Sequence, residues 1–459
     1  MFNKVLVANR GEIAVRIIRA LRELGITSVA VYSEVDRDAL HTELADEAIC
    51  IGPAKGLNSY ANPVAVLSAA LVTGVDAIHP GYGFLSERSD FASLCEEMQI
   101  NFIGPSSQII RNMGNKQNAR TTMREAGIPI IPGGKDLIED TEQARELANE
   151  IGYPVMIKAA DGGGGKGMRL VKSEEELEPL FIQAQNETQS IYGNRHLYIE
   201  RAISQAKHIE VQLLGDEHGN VVHLGERDCS LQRNNQKVLE FVPAIFISEE
   251  TRERICDVAV QAAQSIGYTS AGTIEFLVDE NEDFYFMEMN TRLQVEHPVS
   301  EMVTGVDIVK SQIEIAEGKP LAFKQSDVKI TGFAIEVRLN AEDPYNDFRP
   351  SSGHISRLFL PAGGNGLRVE SGLYSNYTPP PFYDSMVAKI ITHQPTKEGA
   401  FTLMKRALYE VVVDGIHTNV DLLEALVHDP QVQAGDVDVK WLEDNFMPQW
   451  LKETDDVKE

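Results

Sequence analysis

The stretch Met287-Glu-Met-Asn-Thr-Arg-Leu-Gln-Val-Glu-His-Pro298 closes an apolar run, Phe284-Tyr-Phe-Met287, and then crowds Glu288, Asn290, Arg292, Gln294, Glu296 and His297 together. An apolar run of this kind forms a buried strand, and a carboxylate on it is costly unless paired or metal-bound. Upstream, Ala271-Gly-Thr-Ile-Glu-Phe-Leu-Val278 reads as a second strand, joined to the first by the polar turn Asp279-Glu-Asn-Glu-Asp283. A hairpin tip at Asn281-Glu282 sets Glu275 opposite Glu288. Like charges facing across a strand pair repel, so this pairing asks for a cation. Two carboxylates beside phosphate oxygens suit Mg²⁺. The alternative is a register one residue away, with both glutamates turned to solvent.

With 459 residues, 43% hydrophobic and 24% charged, the chain has material for about three sub-domains. Its net charge of -27 argues against nucleic acid or an anionic membrane as partner, since either selects a basic surface. An anionic ligand must then be held by a local cluster of cations. Cys50, Cys95, Cys229 and Cys256 show no CxxC spacing, which points to reduced thiols in a cytoplasmic protein. Met1 leads into a strand without a signal-peptide pattern, and no apolar run nears the ~20 residues of a membrane span.

Working outward, Lys4-Val-Leu-Val-Ala-Asn9, a helix over Glu12 to Glu23 and Ser28-Val-Ala-Val-Tyr32 make a βαβ opening. Glu34 stands where a dinucleotide fold keeps its ribose-binding acid, but the turn Asn9-Arg10-Gly11-Glu12 lacks the glycine fingerprint. Alternation continues through Ala77-Ile78 and Phe102-Ile-Gly104, predicting a parallel α/β unit. The turn His79 to Glu87, containing Tyr82, Gly83 and Phe84, follows a strand of that unit and is either a ligand lining or an ordinary Pro-Gly turn. Later, Asp161-Gly-Gly-Gly-Gly-Lys166 offers backbone N–H groups to a phosphate. It is not a P-loop, because a strand follows where a helix should, and a glycine loop between strands reads as a mobile lid. Strands around Leu197 to Arg201, His208 to Leu214 and Val221 to Leu224 follow, and then Gln232, Arg233, Gln236 and Lys237 as anion donors.

Taken together, Lys116, Lys158 with Gly162, Gly163, Gly164 and Gly165, Glu200, His208-Ile-Glu210, Gln232 to Lys237, Glu275 and the 287–298 stretch resemble the ATP-grasp enzymes. More narrowly, the chain from Ala8-Asn-Arg-Gly-Glu-Ile-Ala14 to Tyr383-Asp-Ser-Met386 resembles the biotin carboxylase family, whose members serve acetyl-CoA carboxylase. The fold implied is α/β and α+β: an N-terminal parallel unit over 1–114, an ATP-grasp lid region over 115–203, and the rest of the ATP-grasp fold with the carboxylase C-terminal domain over 204–459. By the resemblance, Lys116, Lys158 and His208 grip ATP phosphates, with the 162–165 loop, Gln232 and Asn235 nearby. The backbone around Glu200 and Ile203 reads the adenine, and Leu277 packs on the ring. Glu275 and Glu288, with Asn290 close by, hold Mg²⁺ or Mn²⁺. Arg292, Lys237, Gln294 and Val295 bind bicarbonate, and Glu296 is the base. Arg338 stabilises the biotin anion, and Tyr82, Gly83 and Phe84 line the biotin pocket. From its own neighbourhood alone, Arg338 reads instead as a strand-edge ion pair with Glu336 or Glu342.

The resemblance also implies a homodimer and partners, a biotin carboxyl carrier protein and carboxyltransferase subunits, because the chain holds no Met-Lys-Met motif and ends at Glu459. The implied reaction is ATP- and bicarbonate-dependent carboxylation of biotin, the first step of malonyl-CoA and fatty acid synthesis. The alternatives are the same subunit in another acyl-CoA or pyruvate carboxylase, an ATP-grasp ligase joining a carboxylate to an amine, or a nucleotide-binding regulatory subunit. Asn234-Asn235, Glu240-Phe-Val-Pro243 and Asn365 depart from the family pattern. These changes bear on nucleotide affinity and dimer contacts more than on reaction class.

Overall fold

The amino-terminal strands are near-continuous apolar runs because helices cover them on both faces. β1 (Lys4–Val7), β2 (Thr27–Tyr32), β3 (Glu47–Cys50), β4 (Ala77–His79) and β5 (Asn101–Phe102) form a parallel sheet in the order β3-β2-β1-β4-β5. Val5 and Val7 cluster with Ile13, Ile17 and Leu21 of the helix Gly11–Glu23, whereas Leu6 packs with Val66, Ala70 and Phe91 on the other side. The predicted α/β unit is therefore present, with the added edge strand β3, whose mostly exposed side chains give no apolar pattern to read. The structure, a computed structural model, describes residues 1–134, 137–160, 167–203 and 205–458.

A second, antiparallel sheet has the order β7-β6-β8, from β6 (Val155–Ala159), β7 (Arg169–Val171) and β8 (Leu197–Arg201). Ala144, Ala148, Leu177, Phe181 and Ala184 of the helices Thr141–Ile151 and Glu174–Tyr192 close its core. The expected lid residues Gly162 to Gly165 lie outside the described residues.

The largest sheet is antiparallel and eight-stranded: β9 (Lys207–Gly215), β10 (Val221–Arg233), β11 (Gln236–Val242), β12 (Ser270–Val278), β13 (Phe284–Asn290), β14 (Phe333–Asn340), β18 (Leu367–Ser371) and β19 (Met386–Gln394). Their order is β13-β12-β9-β10-β11-β14-β19-β18. Two short ribbons, β15 (Glu342–Asp343) with β16 (Arg349–Pro350) and β17 (Arg357–Phe359) with β20 (Val412–Asp414), lie outside it. One face is apolar: Ile209, Val211, Ile274, Phe276 and Phe286 bury against Ile255, Ala259 and Ala263 of the helix Glu249–Ser265. The other carries charge. Glu288, Glu275, Glu210 and Arg227 stand opposite one another on β13, β12, β9 and β10.

The predicted pairing of Glu275 with Glu288 is present, by a route the sequence did not disclose. The loop is centred on Asn281, with Val278 paired to Phe284 and Phe276 to Phe286, half a residue before the expected tip. A bulge at Met287 then inserts one residue, so that Glu275 faces Glu288 and Thr273 faces Asn290.

At the β10–β11 hairpin, Arg233 pairs with Gln236, and Asn234 and Asn235 form an exposed two-residue turn with φ of 49° and 60°. Two successive positive φ values mark a type I′ turn, which favours asparagine and glycine. The departure from the family pattern at these positions thus sits where backbone conformation selects it. Asn235→Gly is expected to leave stability unchanged and Asn235→Val to lower it by about 1–2 kcal/mol, which thermal unfolding of both variants checks. A second expectation concerns Glu12, whose Oε1 is shut away from solvent without a partner. Burial raises its carboxyl to about 7, against the pull of Lys389. The folded state therefore binds a proton that the unfolded chain has already released. That contribution is present in full below the ordinary 4.5 and is lost as pH rises through about 7. Relative to wild type, Glu12→Gln should give a shallower fall in melting temperature across this window.

Candidate active site

Lys237, near the start of β11, reaches under the charged row. Its Nζ lies 2.6 Å from Glu210 Oε2, 3.3 Å from Glu275 Oε1 and 2.5 Å from Glu296 Oε1. Burial disfavours a charged lysine, but the three carboxylates override it and hold the ammonium well above its usual range. Glu210 is anchored from beneath by the fully buried Arg227, whose Nε donates to its Oε1 at 2.6 Å. Arg227 also donates to Gln212, Ser300 and Thr273. A buried guanidinium is tolerated when its donors are matched in this way.

The turn after β13 folds back over the row. Asn290 Nδ2 and Gln294 Nε2 both donate to Glu275 Oε1, at 2.8 and 3.1 Å. Arg292 donates to Asn290 Oδ1 (2.9 Å), Gln294 Oε1 (3.1 Å) and Glu87 Oε2 (2.8 Å). Glu87 comes from the far end of the Tyr82 turn and also accepts from the Thr291 N–H at 3.1 Å. The amino-terminal unit is thereby fastened to the central sheet through the arginine it helps to aim.

Glu296 is fully buried between two cations. Lys237 holds Oε1, and Arg338 Nη2 holds Oε2 at 2.9 Å. Burial alone would raise this carboxyl, but Lys237, Arg338 and Arg227 together hold it well below the carboxylate range. Arg338 does not make the strand-edge pair expected of its local sequence. It turns to Glu240 Oε1 (Nε at 2.7 Å) and Glu296, because β11 and β14 are neighbours in the sheet. Glu336 lies directly opposite Glu240, buried and with neither oxygen hydrogen-bonded, and burial raises its carboxyl well above the usual range. Burial likewise lifts Glu240 to about 7, opposed chiefly by Arg338.

On the opposite side of the charged row lie the residues assigned to ATP. Gln232 Nε2 donates to His208 Nδ1 (2.7 Å), leaving Nε2 3.2 Å from Glu275 Oε2. Leu277 is half-buried and pairs with His208 across β9 and β12, on the face that bears Glu275. Lys116 Nζ stands 3.5 Å from Glu288 Oε2. Lys158 and Arg120 both pair with the buried Glu200, whose backbone is matched to Met156 within the small sheet. Ile203 follows that strand, half-buried, and Asn235 sits apart in its exposed turn.

The donor set fits a hard divalent cation. Glu288 is 38% exposed towards the cleft. Loss of bulk water there, and then the Glu275 charge, raise its carboxyl. Such like-charge strain is what a cation relieves. At the other end, a cavity of about 490 Å³ is lined by Tyr82, Gly83, Phe84, Val295, Arg338 and Tyr383. Asn9 Nδ2 clamps its near wall by donating to the carbonyls of Pro80 and Tyr82, each at 2.7 Å. Gly81, at φ 63°, leaves room for that amide: a Cβ there would come within 2.9 Å of Nδ2. Sequence reading assigned no task to Arg227, Glu240, Glu87 or Arg120, because each acts on a partner at least 17 positions away in the chain.

Residues 1–110 match the family described as biotin carboxylase, N-terminal domain, and residues 336–444 the biotin carboxylase C-terminal domain. Residues 115–324 match the ATP binding domain of the carbamoyl-phosphate synthase L chain. The chain is 55% identical over 445 residues to biotin carboxylase 1 of Bacillus subtilis, across 96% of this chain and 98% of that protein. Among solved structures it resembles the biotin carboxylase domain dimer of Hydrogenobacter thermophilus 2-oxoglutarate carboxylase, in complex with MgADP, ADP and bicarbonate. That match has a TM-score of 0.92 and 48% identity, covering 98% of this chain and 99% of that one. A biotin carboxylase–β,γ-ATP complex from Campylobacter jejuni matches with a TM-score of 0.93 and 46% identity, over 96% of this chain and 98% of that one. With family models covering most of the chain and a relative this similar from end to end, the chain belongs to the biotin carboxylase family, on an ATP-grasp fold.

Proposed function

We propose that the chain carboxylates biotin carried by a separate protein, as the first half-reaction of an acetyl-CoA carboxylase in the cytoplasm. The observation that carries this reading is the position of Glu296. It is a buried carboxylate gripped by Lys237 on the nucleotide side and by Arg338 on the side of the 490 Å³ cavity. In this reading residues 1–114 form one wall, residues 115–203 carry the nucleotide lid, and residues 204–459 supply the floor and the biotin side. The carboxyltransferase subunits and a dimer of this chain belong to the same proposal. Among the described residues, no helix is long and apolar enough to cross a membrane.

Lys116, Lys158, His208 and Gln232 take the phosphates of ATP, with Gly162 to Gly165 closing over them and Asn235 at the rim. The segment at Glu200 and Ile203 receives the adenine, and Leu277 packs on it. Glu275 and Glu288 hold Mg²⁺ beside Asn290; when bound, the ion neutralises charge on the terminal phosphates. Arg292, Lys237, Gln294 and the Val295 backbone hold bicarbonate. As Lys237 turns to the substrate, Glu296 loses a stabilising partner and becomes a stronger base. It takes the bicarbonate proton while a bicarbonate oxygen attacks the γ-phosphorus and ADP leaves. Carboxyphosphate then breaks down to CO₂ and phosphate, and phosphate removes the ureido proton of biotin. Arg338 faces the resulting anion with a fixed positive charge, a task suited to a guanidinium already held in place by Glu240. Tyr82, Gly83 and Phe84 bound the space for the ring.

Transfer of label from bicarbonate to free biotin or its carrier, dependent on ATP, tests the reaction. Its absence would remove this reading in favour of another ligase or a nucleotide-binding subunit. Supplying acetyl-CoA or a 2-oxo acid with the matching carboxyltransferase identifies the final acceptor. Glu296→Ala should lower carboxylation at least ~10²-fold while nucleotide binding, followed by calorimetry, stays near wild type. Glu288→Gln should raise the Mg²⁺ concentration needed for half-maximal activity; an unchanged requirement would count against the paired-glutamate site.

A further inference from the structure

Lys389 lies on β19, far along the chain from the residues assigned to substrates, and its side chain is completely buried. It stands directly between Arg338 and Glu370 in the cross-strand row of β14, β19 and β18. Its Nζ meets Glu370 Oε2 at 2.7 Å. An ammonium kept only for the stability of that pair has no need of a second partner in a distant turn, yet Nζ also donates to the Val295 carbonyl at 2.9 Å. It lies 6.0 Å from the centre of the Tyr82 ring, at the limit of cation–π attraction. Burial opposes its charge, but Glu370, Glu336 and Glu12 keep it raised.

The bond to Val295 matters because of what shares that peptide. A peptide group is planar, so fixing the Val295 oxygen also fixes the direction of the Glu296 N–H and the root of the Glu296 side chain. The preceding carbonyl, that of Gln294, is likewise engaged, accepting from His297 Nδ1 at 2.8 Å. Lys237 and Arg338 hold the two oxygens of Glu296 from within the site, and Lys389 holds its backbone from behind. The row Arg338-Lys389-Glu370 therefore supplies one cation to the carboxylate and the next to its peptide.

We propose that Lys389 is a positioning residue for bicarbonate activation. It fixes the 294–296 turn so that the Val295 backbone and Glu296 meet the anion in register, and it links that turn to the Tyr82 wall. This rests on the reading that Arg292 and the 294–296 turn bind bicarbonate. Removing a charged donor from a buried carbonyl is expected to raise the KM for bicarbonate by about tenfold or more in Lys389→Met, with the KM for ATP within about twofold of wild type.

The single variant leaves Glu370 Oε2 short of a cation, while Arg368 still holds Oε1, and so tests stability as well. The double variant Lys389→Met/Glu370→Gln removes the charge on both sides of the Lys389–Glu370 contact while leaving an amide oxygen for Arg368, and it separates the two effects. A positioning role predicts that melting temperature recovers in the double variant while the bicarbonate KM stays raised. A structural role predicts that both return together, and that result, or a bicarbonate KM unchanged in either variant, overturns the proposal. Arg292→Ala serves as the reference. If it leaves the bicarbonate KM unchanged, the reading of the turn itself fails and the inference falls with it. If Arg292→Ala raises that KM and neither Lys389 variant does, the role of Lys389 alone is refuted.

Discussion

One lysine decides whether this site can exist. The charged face of the eight-stranded sheet places Glu288, Glu275 and Glu210 side by side, and the returning turn adds Glu296. Four carboxylates gathered in a space poor in water would each demand desolvation without return. Lys237 lies within 3.3 Å of three of them. Arg227 supports Glu210 from below and Arg338 supports Glu296 from the side. Among the described residues Glu288 is paired with Lys116, at 3.5 Å, and it is the carboxylate that opens to the cleft. The carboxylates that hold the architecture are thus closely paired, and among the described residues the one open to the cleft is the most loosely paired. When substrate anions arrive, cations already in place can change partners, which costs less reorganisation than drawing them in from solvent.

The sheet behaves as two half-sites joined by that turn. In the proposed function its charged face from β13 to β10 takes the nucleotide and metal, and from β11 to β18 the sheet adjoins the cavity bounded by Tyr82 and Arg338. The amino-terminal unit contributes less to the floor than to aim: Glu87 holds Arg292, and Asn9 holds the Tyr82 turn. Strands in the parallel sheet end at these turns, which is where α/β units place their ligand-binding loops.

Much of this was legible from local pattern. Apolar alternation and turn residues disclosed the amino-terminal unit and the hairpin that contains Glu275 and Glu288, and the motif set disclosed the family. What stayed hidden required knowledge of which strands become neighbours. Arg338 looked like the partner of Glu336 or Glu342 because those are close in sequence, yet β11 lies alongside β14 and offers Glu240. Arg227, Glu240 and Lys389 read as ordinary strand charges until the sheet order is known. β3 escaped notice for a different reason, since an edge strand exposed on most of its side chains carries no hydrophobic signature.

The bulge at Met287 carries an evolutionary consequence. Strand side chains alternate strictly, so a hairpin continued without the bulge would turn Glu288 towards Ile274 and the apolar core, and Met289 towards the cleft. Insertions and deletions in the 279–283 loop change only an exposed connection, and loss of residue 287 would restore regular pairing with Glu288 still opposite Glu275; what inverts the side chains is keeping the extra residue without the bulge that absorbs it. Lineages can therefore vary the length of that loop, or lose the bulged residue with its bulge, while Glu275 and Glu288 stay opposite one another. Its side chain carries no chemistry, so a search for functional groups would pass over Met287, although the bulge that absorbs it keeps Glu288 and Asn290 on the working side of the sheet.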